Sequence, residues 1–341
     1  MKIRVVQWTT GPVAKAAVRG ILVHPNLELV GAYAWSADKA GKDIGELCNL
    51  GRLGIAATAK IEDIIALKPD IVLYMPLVWN VDHMVQLLEA GINIISTSNF
   101  ITGSAYGEAN QERLQAAAMR GGVSLYGTGS NPGLASAVVL AATAGTREIE
   151  YVGIHEAADC TPYQSAQTWR DLGFGMAPGT AGLQEAAKQR QSVFREAVEV
   201  MAEALGVTLD DVAFELQYGV ATKDLDLGYM QIGKDMICGQ KSIWRGIAGG
   251  KPVIEFSLLW RLGDAMEPDW AVHDGHQVEI RGVPGIKLSL TYDHPADPDD
   301  FNAITANPAV NAIPAVVQAR PGIITVDELP LVTSASVHGQ R

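Results

Sequence analysis

A short stretch near the start of the chain constrains the fold more than any other: residues 3–14 read IRVVQWTTGPVA. A strand-forming run stops at a small-residue turn, and a helix is predicted to begin at Pro12, where the missing N–H costs nothing because first-turn donors have no partner. A strand, a tight turn and a helix N-terminus together suit a pyrophosphate, because backbone N–H groups and the helix dipole both face the anion.

The dinucleotide-binding pattern G-x-G-x-x-G/A falls on this turn with one departure. Its three positions are occupied by Thr9, Gly11 and Ala14. Gly11 permits phosphate to approach the backbone and Ala14 is an allowed small residue, whereas Thr9 brings a Cβ into the tight turn. Because the pattern is so short, the alternative is that the turn has only a structural role and binds no dinucleotide. The predicted phosphate contacts are Thr9, Thr10, Gly11, Pro12 and Val13.

Length and charge narrow the class of protein. A chain of 341 residues suggests two domains, and a formal net charge of −12 argues against a nucleic-acid or anionic-membrane surface. A bound polyphosphate therefore needs a local site. The three cysteines lie far apart without zinc or disulfide spacing, so we expect no metal site and a reducing, cytoplasmic location. The chain enters a strand at once, and no signal peptide is expected.

The pattern of elements changes near residue 147. Strands and helices alternate before it, which predicts an α/β, Rossmann-type doubly wound parallel sheet. Closely spaced strand-like runs follow, one of them at Tyr229–Cys238, and predict a second α+β domain on a mixed, largely antiparallel sheet. One long helix is expected at about 181–205, and a final helix at about 307–319 should be kinked or broken by Pro308 and Pro314. The predicted domains are residues 1–133 for dinucleotide binding, 134–300 for substrate binding and dimerisation, and 301–341 for a helix and tail that return to the first domain.

Ligands of such open sheets lie outside the carboxyl ends of the strands. At the end of the second strand, Ser36 and Lys39 supply a hydroxyl and a cation, which favours the 2′-phosphate of NADP(H). Asp38 lies close by and leaves NAD(H) open as a second cofactor. A turn cap at Ser36 and a solvated Lys39 are the alternatives. Two further strand ends add the cofactor-binding candidates Tyr74, Met75, Pro76, Thr97 and Ser98.

Another polar turn precedes an apolar helix at residues 128–133, which read TGSNPG. Asn131 is predicted as the helix N-cap and Pro132 as the first helical residue. Asn131 is also a candidate to hold the nicotinamide half of a cofactor, although an N-cap needs no ligand.

Five segments together resemble the 2,4-diaminopentanoate dehydrogenase family. They are the turn at 9–14, the strand end at 34–45, TGSNPG at 128–133, GFG at 173–175 and NPAVNAIP at 307–314. The family includes NAD(P)H-dependent amine dehydrogenases and is distantly related to dihydrodipicolinate reductase. The resemblance implies interconversion of amines with ketones or aldehydes plus ammonia, and a homodimer.

The resemblance also implies site residues. It places the proton-transfer carboxylate at Glu108, although an acid in a first helical turn also stabilises the helix dipole by about 0.3–1 kcal/mol without any catalytic role. Dihydrodipicolinate reductases are expected to carry His-His-x-x-Lys where this chain has HEAADC at 155–160, so that specific activity is rejected. The predicted substrate wall is Tyr163, Trp169, Phe174, Met176 and Leu134, with about half of its aromatic residues expected in the core.

Three functions remain open at this point. The first is an amine dehydrogenase acting on small carbonyl compounds and their amines. The second is a reductase of a preformed imine or a conjugated double bond, which needs no ammonia. The third is a non-catalytic NADP-binding sensor on the same scaffold.

Overall fold

The computed structural model describes residues 1–293, 295, 297 and 300–335. The chain divides into two compact units. Unit 1 comprises residues 1–137 and the described part of 294–341, and unit 2 comprises residues 138–293. Within the described residues, no helix combines the length and apolar character needed to cross a membrane.

Unit 1 is built on a seven-stranded sheet in which every pair of neighbours is parallel. In chain order its strands are β1 (Ile3–Trp8), β2 (Leu27–Tyr33), β3 (Ala57–Thr58), β4 (Ile71–Tyr74), β5 (Asn93–Ser96), β6 (Ser124–Gly127) and β16 (Gly322–Ile324). Their spatial order is β16-β6-β5-β4-β1-β2-β3. Because β1 lies between β2 and β4, the turn after β1 is flanked by the ends of both.

Helices cover both faces of this sheet. They are α1 (Pro12–Val23), α2 (Ile44–Leu47), α3 (Ile61–Ala66), α4 (Val81–Glu89), α5 (Glu108–Gly121) and α10 (Ala303–Val317). Alternate strand residues point to opposite faces, so Val5 packs with α1 and α10 while Val6 packs with α3, α4 and α5. The expected Rossmann-type sheet is therefore confirmed.

Unit 2 carries a second seven-stranded sheet, of which only β7 and β12 pair in parallel. Its strands are β7 (Arg147–Asp159), β8 (Asp211–Ala221), β11 (Ile237–Ala248), β12 (Lys251–Arg261), β13 (Met266–Glu267), β14 (Gly275–Val283) and β15 (Ile286–Thr291). A two-stranded ribbon is formed by β9 (Leu225–Asp226) and β10 (Gln231–Ile232). The helices are α7 (Ala166–Asp171), α8 (Leu183–Arg190) and α9 (Ser192–Ala204), and α6 (Ala135–Thr143) spans the boundary between the units. This mixed, largely antiparallel sheet confirms the second part of the fold prediction.

Three predicted elements are wrong in detail. The helix expected at 181–205 is two helices, because Gln191 turns its buried side chain to Gln240 and Ser242. The strand expected at Tyr229–Cys238 is interrupted by a turn in which Asp235 has a φ of +65°. Finally, the helix expected at about 307–319 begins earlier, at Ala303, and is not broken at either proline, since its buried face packs on α1 and on the sheet.

Candidate active site

The turn after β1 contains a residue with an unusual backbone conformation. Thr9 has a φ of +78°, a region that a β-branched residue rarely occupies. Its N–H donates to the carbonyl of Tyr33 at the end of β2 (2.9 Å), and its hydroxyl donates to the carbonyl of Met75 just after β4 (3.1 Å). These two bonds tie three strand ends together and offset the steric cost of the conformation. The turn therefore accommodates the Cβ of Thr9 at the position where the dinucleotide-binding pattern has its first glycine.

Gly11 faces open space. A Cβ added at Gly11 would meet no heavy atom within 4 Å, and its φ of −75° is open to any residue. By contrast, a Cβ at Gly127 would lie 2.0 Å from the carbonyl oxygen of Phe100. Packing within the chain therefore accounts for glycine at 127 but not at 11. A ligand that closely approaches the backbone accounts for glycine at 11.

The N-terminus of α1 supports the same interpretation. No side chain caps this end, and its first turn contains no acidic residue. The first-turn N–H groups and the positive end of the helix dipole are therefore available to an anion. Together with Gly11, they fit the pyrophosphate of a dinucleotide.

The end of β2 carries groups of both signs. The Ser36 hydroxyl bonds to Asp38, and this bond, followed by the nearby cations Lys39 and Lys42, holds the pKa of the Asp38 carboxyl below its usual range. Asp38 therefore offers an anionic acceptor suited to ribose hydroxyls, while Ser36 and Lys39 suit a 2′-phosphate.

Trp35 at this strand end was not among the predicted site residues. Its side chain is 76% exposed, unlike the buried Trp8 in the same unit. An exposed indole beside a predicted nucleotide turn is a candidate stacking surface for a base. The sequence signal was its position two residues after the last residue of β2, Tyr33.

Several predicted cofactor contacts have buried side chains. Tyr74 and Met75 are 1% and 7% exposed, and the Tyr74 hydroxyl accepts the N–H of Asn80 at 2.8 Å. The Ser98 hydroxyl donates to the carbonyl of Pro76 at 2.5 Å. The Tyr74 and Ser98 side chains fix the loop after β4 through these hydrogen bonds to Asn80 and Pro76. Thr97 and Pro76 remain partly accessible.

Asn131 does not stand directly before the α-helix as predicted. Its extended backbone, with φ −137° and ψ +124°, is typical of an N-cap residue, but regular α-helix begins only at Ala135. A five-residue π-turn (residues 130–134) precedes the helix, and the Ser130 hydroxyl lies 3.3 Å from that of Thr305 in α10. Asn131 and Leu134 are both half-buried in this turn. Packing against α10 thus overrides the local N-cap preference.

Glu108 is the first residue of α5 and its side chain is exposed. It follows a short 3₁₀ turn (Ser104–Tyr106) after β5. The helix start was predicted correctly, and the carboxylate belongs to the first turn of α5.

The predicted substrate wall in unit 2 is partly core. Trp169 and Phe174 are 4% and 1% exposed and contact each other edge to face at 5.3 Å. Tyr163 is half-buried and Met176 is exposed. Half of this set is therefore held in the interior, and the other half is accessible. In the part of the chain that the structure describes, no three His, Cys, Asp or Glu side chains form a group able to hold a metal ion.

Known proteins resemble the chain over most of its length. An amine dehydrogenase of Streptomyces virginiae is 28% identical, with 96% of each chain covered. The 2,4-diaminopentanoate dehydrogenase of Acetoanaerobium sticklandii is 27% identical over 73% of this chain and 70% of its own length. The solved structure of an amine dehydrogenase from Mycobacterium smegmatis superimposes with a TM-score of 0.80 at 22% identity, covering 98% of this chain and 97% of its own.

The family itself is identified by the second part of the sequence. Residues 134–340 match the profile of the 2,4-diaminopentanoate dehydrogenase C-terminal domain, which confirms the resemblance seen in the five segments. Because this match covers more than half of the chain, the protein belongs to the 2,4-diaminopentanoate dehydrogenase family of oxidoreductases.

Proposed function

We propose that this protein is an NAD(P)H-dependent amine dehydrogenase that reductively aminates small ketones or aldehydes with ammonia. The observation that carries the proposal is the open, uncapped turn at Gly11 in a chain of this family. Two of its relatives are named amine dehydrogenases, and a third is a 2,4-diaminopentanoate dehydrogenase.

The residues of unit 1 divide the work of holding the dinucleotide. The backbone from Gly11 to Val13 binds the pyrophosphate, Trp35 stacks on the base, and Ser36 and Lys39 bind the adenosine ribose with its 2′-phosphate. We propose NADP(H) as the preferred cofactor because Ser36 and Lys39 suit its 2′-phosphate. NAD(H) is tolerated because Asp38 accepts a hydrogen bond from its ribose. Thr97 and Asn131 contact the nicotinamide half. The cofactor, when bound, supplies the hydride.

Glu108 moves protons in this scheme. It takes a proton from ammonium, and the resulting ammonia attacks the carbonyl carbon. It then returns the proton to the hydroxyl of the carbinolamine, which leaves as water, and its carboxylate pairs with the resulting iminium. In unit 2, the half-buried Tyr163 and the exposed Met176 are the proposed apolar contacts of the substrate, and apolar surroundings limit hydrolysis of the iminium.

The test is oxidation of NADPH and NADH with a panel of small carbonyl compounds, each with and without ammonium. The proposal predicts turnover that requires both carbonyl and ammonium, and a Glu108→Gln variant at least about 100-fold slower. Glu112→Gln, an exposed acid one turn further along α5, is the matched control and should retain the wild-type rate.

Other outcomes identify the alternatives. Turnover without ammonium indicates a reductase of a preformed imine or conjugated double bond. Tight cofactor binding with no turnover on any carbonyl indicates a sensor. Full amination activity in Glu108→Gln contradicts the assignment of the proton-transfer group.

A homodimer is also proposed, as the family resemblance implies. Light scattering after size exclusion should give twice the chain mass of 36.3 kDa. A mass of one chain across the micromolar range contradicts this part of the proposal.

A further inference from the structure

Two contacts connect the loop after β4 with the segment between β5 and α5, and two more lie within that segment. The Ser98 hydroxyl donates to the carbonyl of Pro76 at 2.5 Å, and the Tyr106 hydroxyl donates to the carbonyl of Ser98. The Tyr106 ring stacks on Trp79 with centroids 4.0 Å apart and an interplanar angle of 19°. Its edge contacts Phe100 at 5.4 Å. Since Trp79 lies three residues after Pro76, these contacts close a ring.

The ring is anchored at both ends. Asn80, next to Trp79, donates its N–H to the hydroxyl of buried Tyr74 at 2.8 Å. On the other side, the Asn110 amide donates to the carbonyl of Tyr106 at 2.9 Å. Tyr106 itself is 4% exposed. The indole of Trp79 is thus fixed on one side and the first turn of α5 on the other.

We propose that Trp79 and Tyr106 form an aromatic clamp that positions Glu108, two residues beyond Tyr106. The inference rests on the proposed function, because it concerns the group assigned there to proton transfer. The clamp residues act through Glu108 and are positioning residues, since neither needs to touch substrate. Glu108 is exposed and sits after a glycine, so the stacked rings supply rigidity that its own surroundings lack.

The clamp also explains an otherwise unassigned feature of the sequence. Trp79 lies in a loop with Leu77 and Val78, both largely exposed, whereas Trp79 is half-buried by its contact with Tyr106. Proton transfer depends on placing the acid within hydrogen-bond reach of the reacting atoms, and a displacement of about 1 Å can cost on the order of 100-fold in rate.

The test is a double-mutant cycle on the full chain. Trp79→Ala should lower the amination rate about 10-fold or more in the wild-type background but less than about 2-fold in the Glu108→Gln background, because the two residues act as one unit. Trp79→Phe, which keeps a stacking ring, should restore most of the rate. Tyr106→Phe should lower kcat while leaving the affinity for NADPH, measured by its fluorescence, within about 3-fold of wild type.

The controls separate this proposal from stability and from the proposed function. Tyr126→Phe removes a hydroxyl that bonds Thr128 in the same sheet and should not change kcat. An equal loss from Trp79→Ala in both backgrounds, or no loss in the wild-type background, overturns the clamp alone. If Glu108→Gln is itself fully active, the proton-transfer assignment and the clamp both fail.

Discussion

Two regions of the molecule that were both predicted to bind a ligand differ in the structure. The turn after β1 leaves Gly11 facing open space and the strand end after β2 leaves Trp35 exposed. The glycine- and aromatic-rich segment after β7 instead turns Trp169 and Phe174 into a buried cluster. Packing within the chain therefore does not account for the residues of the first region, whereas it largely accounts for those of the second.

The difference teaches how a binding residue is distinguished from a structural one. A side chain that fills space within the chain is required for stability whether or not a ligand binds. A glycine or an exposed ring with no neighbour contributes little to stability, so packing within the chain does not account for the residue type. Separate measurements of stability and cofactor affinity therefore test the contrast between the two regions.

The largest expected effect is on the stability of the buried aromatic cluster in unit 2. Phe174→Ala should lower the free energy of unfolding by about 3–5 kcal/mol, because it removes a large side chain that is 1% exposed. Met176→Ala, two residues away and 41% exposed, should change it by less than about 0.5 kcal/mol. Urea denaturation measures both. A Phe174→Ala variant as stable as wild type would place this ring in a substrate pocket.

A pH effect is expected in the same unit. Burial lowers the pKa of His276 from 6.5 to about 4, although a carboxylate oxygen of Glu156 lies 3.9 Å from Nε2. The unfolded chain binds this proton more readily, so stability should fall as the pH drops from about 6.5 to 4, by up to about 3 kcal/mol.

His276→Gln should flatten this fall in urea denaturation measured across the pH range. Nδ1 lies 3.3 Å from the Tyr292 hydroxyl, and His273 is a further nearby titratable group. If stability instead rises on acidification, the protonated ring pairs with Glu156 and the pKa of His276 is raised rather than lowered.

A smaller effect is expected at the open edge of unit 1. Trp35→Ala should weaken NADPH binding about 10-fold, since stacking of a base on an aromatic ring is worth roughly 1–3 kcal/mol. Stability should stay within about 0.5 kcal/mol, because the ring is exposed. Leu331→Ala, an equally exposed apolar residue at 79%, serves as the control and should bind cofactor normally. If Trp35→Ala binds NADPH with unchanged affinity, the indole does not contact the cofactor.

The smallest effect concerns Thr9. Thr9→Ala should destabilise by about 1 kcal/mol through loss of the bond to the Met75 carbonyl. Thr9→Gly loses the same bond but relieves the positive φ, worth about 1–2 kcal/mol, so it should be at least as stable as wild type. Thermal unfolding ranks the three proteins. An alanine variant more stable than the glycine variant would show that the turn is unstrained.

The sequence predicted the architecture well because local patterns and global fold agree there. Alternating strands and helices, Pro12 at the start of α1 and Glu108 at the start of α5 each carry a short-range signal. The three-residue β16 was missed, since so short a strand forms only by pairing with β6.

The site was predicted less completely, for a physical reason. Whether Tyr74 faces a ligand or the core depends on strand alternation and on its contact with Asn80, and the orientation of Ser98 depends on its bond to Pro76 in another segment. Asn131 carries a strong N-cap signal, yet packing of its turn against α10 delays the helix to Ala135. Tertiary contacts determine the orientation of these side chains, and the spacing of residues in the sequence does not predict those contacts.

The most direct test of the account is calorimetric titration of NADPH and NADH into wild type and Gly11→Ala, with thermal unfolding of both. The account predicts equal thermal stability, because an added Cβ meets no atom of the chain within 4 Å, and cofactor affinity at least about 10-fold weaker, because the Cβ occupies the path of the phosphate. Wild-type affinity in a fully folded Gly11→Ala would contradict it.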